Sequence, residues 1–309
     1  MPRKVEITLP SHETDELIPE IKQLKGMIGL RLQRNASIHP PGDVMTVEIT
    51  NRGVNRLLRL LDQHEVGRGS SSSITTSEPF SLISASAAED IEQDTNDVPW
   101  EEMKTLIAND SNMNANVMIA MFIAGIFAAI GIATNALHIV IAGMVIAPGF
   151  EPIVQISLGA VARNRVWRSG LINTAKGYAA VIAEAAIAGL VLQALGIPLL
   201  EGESSYLPAG VLFSYWTNIT ASSIIVSALA GIAGALLIAS RREVLTSGVM
   251  IALALIPAAT VASLGLITGR LDIVGKGLLR WAIEAGLIIA SSGLVFIWKR
   301  RYMQHRKML

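Results

Sequence analysis

The sequence contains no cysteine. That excludes disulfide frameworks, thiol nucleophiles and cysteine-ligated metal sites. Charge is also scarce: 16% of the 309 residues are Asp, Glu, Lys or Arg, against about 25% in an ordinary soluble domain. The deficit is uneven. Residues 1–115 hold 11 Lys/Arg and 18 Asp/Glu, whereas residues 116–309 hold 14 and 7. The net charge of zero therefore hides an acidic soluble part and a basic, very apolar part, and two domains are expected. A single water-soluble globule is excluded, and no nucleic-acid partner held by bulk charge is expected. The N-terminal MPRKVEITLP has no long apolar core, so no cleaved signal peptide is expected. HExxH, GxSxG and a glycine-rich nucleotide fingerprint are all missing. The five histidines, His12, His39, His64, His138 and His305, do not cluster. Neither enzyme chemistry nor a cofactor is expected. Intramembrane hydrolysis would need a serine such as Ser157 or Ser263 activated by a carboxylate.

In the acidic part, Val5 to Leu9 alternates apolar and polar residues and reads as a strand. Pro10 ends it, and Ser11 is expected to cap a helix carrying Leu17, Ile18, Ile21 and Leu24 on one face. Pro19 requires that helix to kink or to start later than Ser11. Met27–Leu32 reads as a second strand, His39–Gly42 as a turn and Val44–Ile49 as a third strand. Asn55–His64 spaces its leucines as a helix, and Ile74–Ile83 supplies a fourth strand. The β-α-β-β-α-β order is the split-βαβ, ferredoxin-like pattern, placed at residues 1–83 as a cytosolic assembly or sensing module. Gly67-Arg68-Gly69 and the serines after it lack Walker lysine spacing and read as a flexible loop. Residues 84–97 carry Glu89, Asp90, Glu92, Asp94 and Asp97 and read as a solvated linker. Trp100, Met103, Leu106 and Ile107 then recur at helical spacing. That helix either lies at a membrane surface or packs under the soluble domain, and it closes an 84–115 connecting segment.

A membrane-spanning helix needs about 20 mainly apolar residues. Six stretches qualify: 116–134, 138–161, 171–195, 219–240, 245–268 and 278–298. Together they make an all-α membrane domain at 116–298, followed by a basic tail at 299–309. Residues 207–218, with Pro208, Trp216 and Asn218, read as an interfacial or re-entrant piece. Arg163, Arg165 and Arg168, then Arg241 and Arg242, then the tail with Arg306 and Lys307 fall on one side of a six-span chain. The loop with Glu201 and Glu203 falls on the other. The positive-inside rule then puts both termini in the cytoplasm of a cell inner or plasma membrane.

The spans also hint at a repeat. Ala124-Gly125-Ile126 matches Ala230-Gly231-Ile232 at an offset of 106, further identities follow, and a shift of three aligns Pro148 with Pro257. Three spans per half means opposite orientations, a 3+3 inverted repeat, whose interrupted helices point to a transport site. In Ile146–Pro152 the two prolines deprive the carbonyls of Met144 and Pro148 of their helical partners, and Pro257 does the same to Leu253. In lipid such groups need protein, water or an ion. Glu151, Glu184 and Glu284 are carboxylates inside apolar spans, expensive there and therefore candidates for carrying a proton or a cation. Glu284 has Arg280 one turn before it, at salt-bridge spacing. Lys176 either snorkels to the surface or pairs with Glu151. The expected ion- or solute-binding set is Met144, Pro148, Glu151, Pro152, Glu184, Pro257 and Glu284. Small-residue stripes at Gly125, Ala129 and Ala133, and at Gly231, Ala235 and Ala239, serve either a homo-oligomer, the expectation adopted, or packing within one chain.

Ala142–Pro148, closed by Pro152, resembles the signature of the "uncharacterised hydrophobic domain" membrane family, domain of unknown function family 389. Leu229–Ala235 and Ala252–Pro257 resemble its later blocks, and the likeness covers roughly residues 115–298. In that family pattern Gly usually precedes the second proline, where this chain has Glu151, and Asn is usual near the position of Glu284. The resemblance implies an architecture and names no activity. Two functions are expected from the residues: a secondary transporter or channel-like protein for a cation or a proton-coupled solute, or a non-transporting membrane sensor or scaffold working through its N-terminal domain.

Overall fold

The alternation at the N-terminus builds strand β1 (Arg3–Leu9), whose Val5, Ile7 and Leu9 are wholly buried. In this computed structural model, residues 2–67, 71–79, 81–94, 100–199, 210–240 and 243–305 are described. They fall into two compact units, Met1–Trp100 and Glu101–Leu309. Gly69, Asp97, Glu201, Glu203, Pro208, Arg241, Arg242, Arg306 and Lys307, which entered the sequence reading, lie outside the described residues.

In the first unit β1 is followed by α1 (Ser11–Lys22), β2 (Met27–Ile38), β3 (Pro41–Ile49), α2 (Asn51–Gln63) and β4 (Ser73–Ser77). The strands form one antiparallel sheet in the order β2-β3-β1-β4. The register sets Val5 opposite Val47 and Ile7 opposite Met45. The inward residues of two strands thus meet in pairs and pack beneath Leu17, Ile21, Val54, Leu57 and Leu61. The element order is the one expected, with altered boundaries. α1 runs from Ser11 through Pro19, so the helix does not start late. Pro19 is exposed, as is Asp15, whose carbonyl loses its partner, and water can serve that group. Ser11 is the first helical residue rather than a cap, because its hydroxyl donates to Asp43 instead (2.7 Å). β4 is shorter than expected and ends at Ser77, after which Glu78 pairs with the buried Arg3 (3.1 Å). The linker is not structureless: it holds a 3-10 turn at Ala85–Ala87 and a short helix, α3 (Ala88–Glu92).

Asp43 is the buried acid of this unit. It accepts the Asn35 N–H (2.9 Å), the Ser11 hydroxyl and Arg34 Nη1 (2.8 Å). These donors, the Asn35 amide first, hold its carboxyl at about 2, below the ordinary 3.8. A carboxyl lowered on folding contributes stability that is full above its unfolded value and is lost as pH falls toward the folded one. The first unit is therefore expected to lose stability between about pH 4 and pH 2. Asp43→Asn is expected to flatten that limb in an acid titration followed by circular dichroism. An unchanged acid limb in the variant refutes the assignment.

The second unit is helical: α4 (Trp100–Asp110, beginning one residue before the unit), α5 (Ala115–Ala133), α6 (Leu137–Ile146), α7 (Glu151–Ala162), α8 (Val166–Ala194), α9 (Val211–Thr217), α10 (Ala221–Ala239), α11 (Glu243–Ala252), α12 (Leu255–Ile267) and α13 (Leu271–His305). Four of these, α5, α8, α10 and α13, are long and apolar enough to cross a membrane. The pair α6–α7, bent by 43°, adds a fifth if counted as one span. α12 is apolar but shorter. Asn114 caps α5 by accepting the Val117 N–H, and Thr220 caps α10 in a reciprocal box with Ser223. Met103 and Ile107 of α4 are buried, so that helix has a packed face.

The small-residue stripes are used inside the chain. A Cβ at Gly125 would sit 2.9 Å from the Val181 carbonyl of α8, and one at Gly231 would sit 3.1 Å from the Ile288 Cα of α13. Ala129, Ala133, Ala235 and Ala239 are buried. Glycine permits these two backbone approaches, and the stripes therefore supply no free face for a second copy.

Candidate functional site

The centre of the second unit is built on two helix breaks. α6 stops at Ile146, and Ala147 turns extended (ψ 124°), the conformation forced on a residue that precedes proline. Pro148 cannot donate to the Met144 carbonyl. α7 starts afresh at Glu151 with Pro152 in its first turn, where the missing N–H costs nothing. Pro152 was expected to interrupt a continuous helix; instead it opens a new one. The second break lies at Leu253 and Ala254, between α11 and α12, with Pro257 in the first turn of α12. Pro257 likewise follows the interruption, and Leu253 belongs to the break itself.

Each break is held by one side chain from a long helix. The Tyr178 hydroxyl on α8 donates to the Gly149 carbonyl (3.1 Å). Its ring meets Trp281 of α13 edge-on at 5.0 Å between centroids. On α13, Glu284 Oε2 accepts the Ala254 N–H (2.8 Å) at the start of α12, the end of a helix that favours negative charge. Glu284 Oε1 accepts from Arg280 Nε (3.0 Å), and both side chains are buried. Arg280 Nη1 also donates to the carbonyls of Tyr215 (2.6 Å) and Asn218, the C-terminal end of α9, where a cation is favourable. Its guanidinium lies over the Tyr215 ring at 5.6 Å.

The breaks face each other. Met144, Ala147, Gly149 and Phe150 of the first line a narrow cavity with Met250, Leu253, Leu255 and Ile256 of the second, and Tyr178 closes one wall. A larger cavity of about 350 Å³ adjoins the second break; it is lined by α6, α9, residues 251–254 and Arg280 and is open where Leu137, Tyr215 and Ile251 are exposed. Met144 lines both cavities.

Of the expected set, Met144 lines the cavity between the breaks, Glu284 bonds the Ala254 N–H at the second break, and Pro148, Glu151, Pro152 and Pro257 flank the breaks without lining either cavity. Glu151 is the first residue of α7, only partly buried, with its Oε2 enclosed and without a partner among the described residues. Lys176 is exposed and makes no ion pair with it among the described residues. Glu184 lines neither cavity. It sits where α8 crosses α5, its Oε2 3.3 Å from where a Gly125 Cβ would be, buried and also without a partner among the described residues. Ser157 is bonded to the Val154 carbonyl and to Ser292 (both 2.8 Å), and Ser263 donates to the Ile182 carbonyl (2.6 Å). Among the described residues neither serine is hydrogen-bonded to a carboxylate. Among the described residues no group of His, Asp or Glu side chains is placed to hold a metal ion. Tyr178, Tyr215 and Trp216 were not singled out from sequence as site residues. Tyr178 had a signal: it precedes Glu284 by 106 residues, the offset already shown by the Ala-Gly-Ile matches.

Residues 144–290, which contain both breaks, match the family model described as Domain of unknown function (DUF389). The chain is 24% identical over 295 residues to an uncharacterized protein of Methanocaldococcus jannaschii, covering 95% of this chain and 86% of that one. No solved structure matches.

Proposed function

We propose that the chain is a membrane transporter or channel-like protein, not an enzyme, moving a cation or a proton-coupled solute past the paired helix breaks. The observation that carries this reading is that the two breaks line one cavity. Irregular backbone at membrane depth is tolerated where it is buried in protein or lines a cavity, and discontinuous helices at corresponding positions are typical of transport sites. The helix order supports an inverted 3+3 repeat of six spans. Each half has a 19-residue helix (α5, α10), a broken pair (α6–α7, α11–α12) and a long helix (α8, α13). In this reading α11–α12 is the fifth span. Tyr178 and Glu284 are repeat-related residues serving the two breaks. The first unit is a ferredoxin-like regulatory or assembly module in the cytoplasm, and the Arg-rich loops and tail support a cytoplasmic position for both termini.

Glu151 is the proton or cation carrier in this proposal, because it is an acid at the first break with an enclosed, unpartnered oxygen. Glu151→Gln keeps its size and cannot ionise. In liposomes holding the full chain, proton or alkali-cation flux under an imposed gradient is expected to fall to the level of protein-free vesicles, with thermal stability in detergent unchanged. A Gln variant that transports like the parent from about pH 5 to 8, across the range of raised carboxyl values in buried sites, makes Glu151 structural.

A further inference from the structure

Arg280, which lines the larger cavity, has a hydrogen-bond donor to spare. Arg280 spends Nε on Glu284 and Nη1 on the two α9 carbonyls. Nη2 has no partner among the described residues. The walls around it are almost entirely apolar, with Ile141, Met144, Leu212 and Trp216 among them. At about 350 Å³ the space lies within the range of small-molecule sites, which combine apolar walls with a few placed polar groups.

We propose that this cavity binds a small apolar carboxylate, its body among α6, α9 and residues 251–254 and its carboxylate on Arg280, and that one proton is taken up onto Glu284 as it binds. It rests on the transport reading and names a solute class for the cavity beside the second break.

The proton follows from charge balance. Empty, the site holds one guanidinium and one carboxylate, both buried. A second carboxylate on the same guanidinium would leave a net negative charge in apolar surroundings, where an uncompensated ion is costly. Protonating Glu284 restores neutrality. As an acid it still accepts the Ala254 N–H through its carbonyl oxygen. Among the described residues the other ionisable lining group is Tyr215, and His138 of α6 is exposed and does not line the cavity. α10 and α12, both packed on α13, carry no ionisable group. α9 brings Tyr215, and α8 brings Tyr178, whose hydroxyl interacts electrostatically with both Glu284 and Glu151. α7 brings Glu151 at its first residue. Tyrosine is already neutral near pH 7, so it cannot take up the proton, and Glu151 is at the other break.

The test is calorimetric titration of the purified full chain with benzoate or hexanoate, in two buffers of different ionisation enthalpy, with benzyl alcohol as the neutral comparison. Saturable benzoate binding is expected, about tenfold tighter than benzyl alcohol, the scale of one charge-assisted hydrogen bond, with close to one proton taken up per ligand. Glu284→Gln is expected to bind benzoate at least as tightly with no proton uptake, because the anion then replaces the missing charge beside Arg280. Ile141→Trp fills the cavity without touching the ion pair and is expected to weaken binding about tenfold or more. Equal affinity for benzyl alcohol, binding without proton uptake, proton uptake that persists in Glu284→Gln, or no carboxylate binding would each overturn the proposal. The transport reading fails separately: benzoate binding with its proton but no flux in liposomes removes transport and leaves this site. Glu151-dependent cation flux without carboxylate binding removes this site and leaves transport.

Discussion

Arg280→Met is expected to destabilise the helical unit by about 3–5 kcal/mol, the cost of leaving one partner of a buried ion pair uncompensated. The substitution leaves the Glu284 carboxylate with only the Ala254 N–H. It also strips the Tyr215 and Asn218 carbonyls of their donor, which releases α9. The loss is expected to belong mostly to the stranded charge rather than to the pair. The double variant Arg280→Met/Glu284→Gln is therefore expected to recover most of it, since Gln still offers the Ala254 N–H an acceptor and carries no charge. Thermal unfolding of the purified chain in detergent reads both variants. An Arg280→Met protein as stable as its parent, or a double variant no better than the single, contradicts this account of the pair.

Arg280–Glu284 was legible in part because its spacing of four residues is local. The other partners of these two side chains are 30 and 62–65 residues away, and no periodicity announces them. The same division runs through the first unit. Alternation found the strands, since burial on one face of a sheet writes itself into every second residue. The start of α2 was misplaced because its cap is remote: Asp94 accepts the Asn51 N–H at 2.7 Å. A carboxylate 43 positions downstream can favour a helix N-terminus as well as a neighbouring one does, and only the tertiary fold brings it there. In the second unit the prolines located both interruptions to within a few residues, because a missing N–H is a local fact. Whether proline bends a helix or opens a new one depends on what receives the freed groups. Tyr178 and Glu284 supply that from other helices.

Phe150 shows most directly how the break is held in place. It is the last residue before α7, is 1% exposed, and inserts against Gly234 of α10, where a Cβ would lie 2.1 Å from the ring Cζ. Phe150→Ala is expected to cost about 3–5 kcal/mol, the range for emptying a buried aromatic site. Gly234→Ala attacks the same contact from the other side. In an open helix the change would stabilise by up to about 1 kcal/mol through propensity. Here overpacking opposes it at about 1–3 kcal/mol, so a net loss is expected. The two positions share one volume, and their effects should not add. Gly234→Ala combined with Phe150→Leu is expected to be more stable than the sum of the separate changes, because the smaller side chain makes room for the new methyl group. Thermal unfolding in detergent of the parent, Phe150→Leu, Gly234→Ala and their double variant completes the cycle. Strict additivity, or a stabilising Gly234→Ala, means that the ring does not occupy the notch. A positive coupling ties the first break to α10, a helix that starts 71 residues after Phe150. That contact lets a movement of the break be felt by α10, as the transport reading proposed above requires.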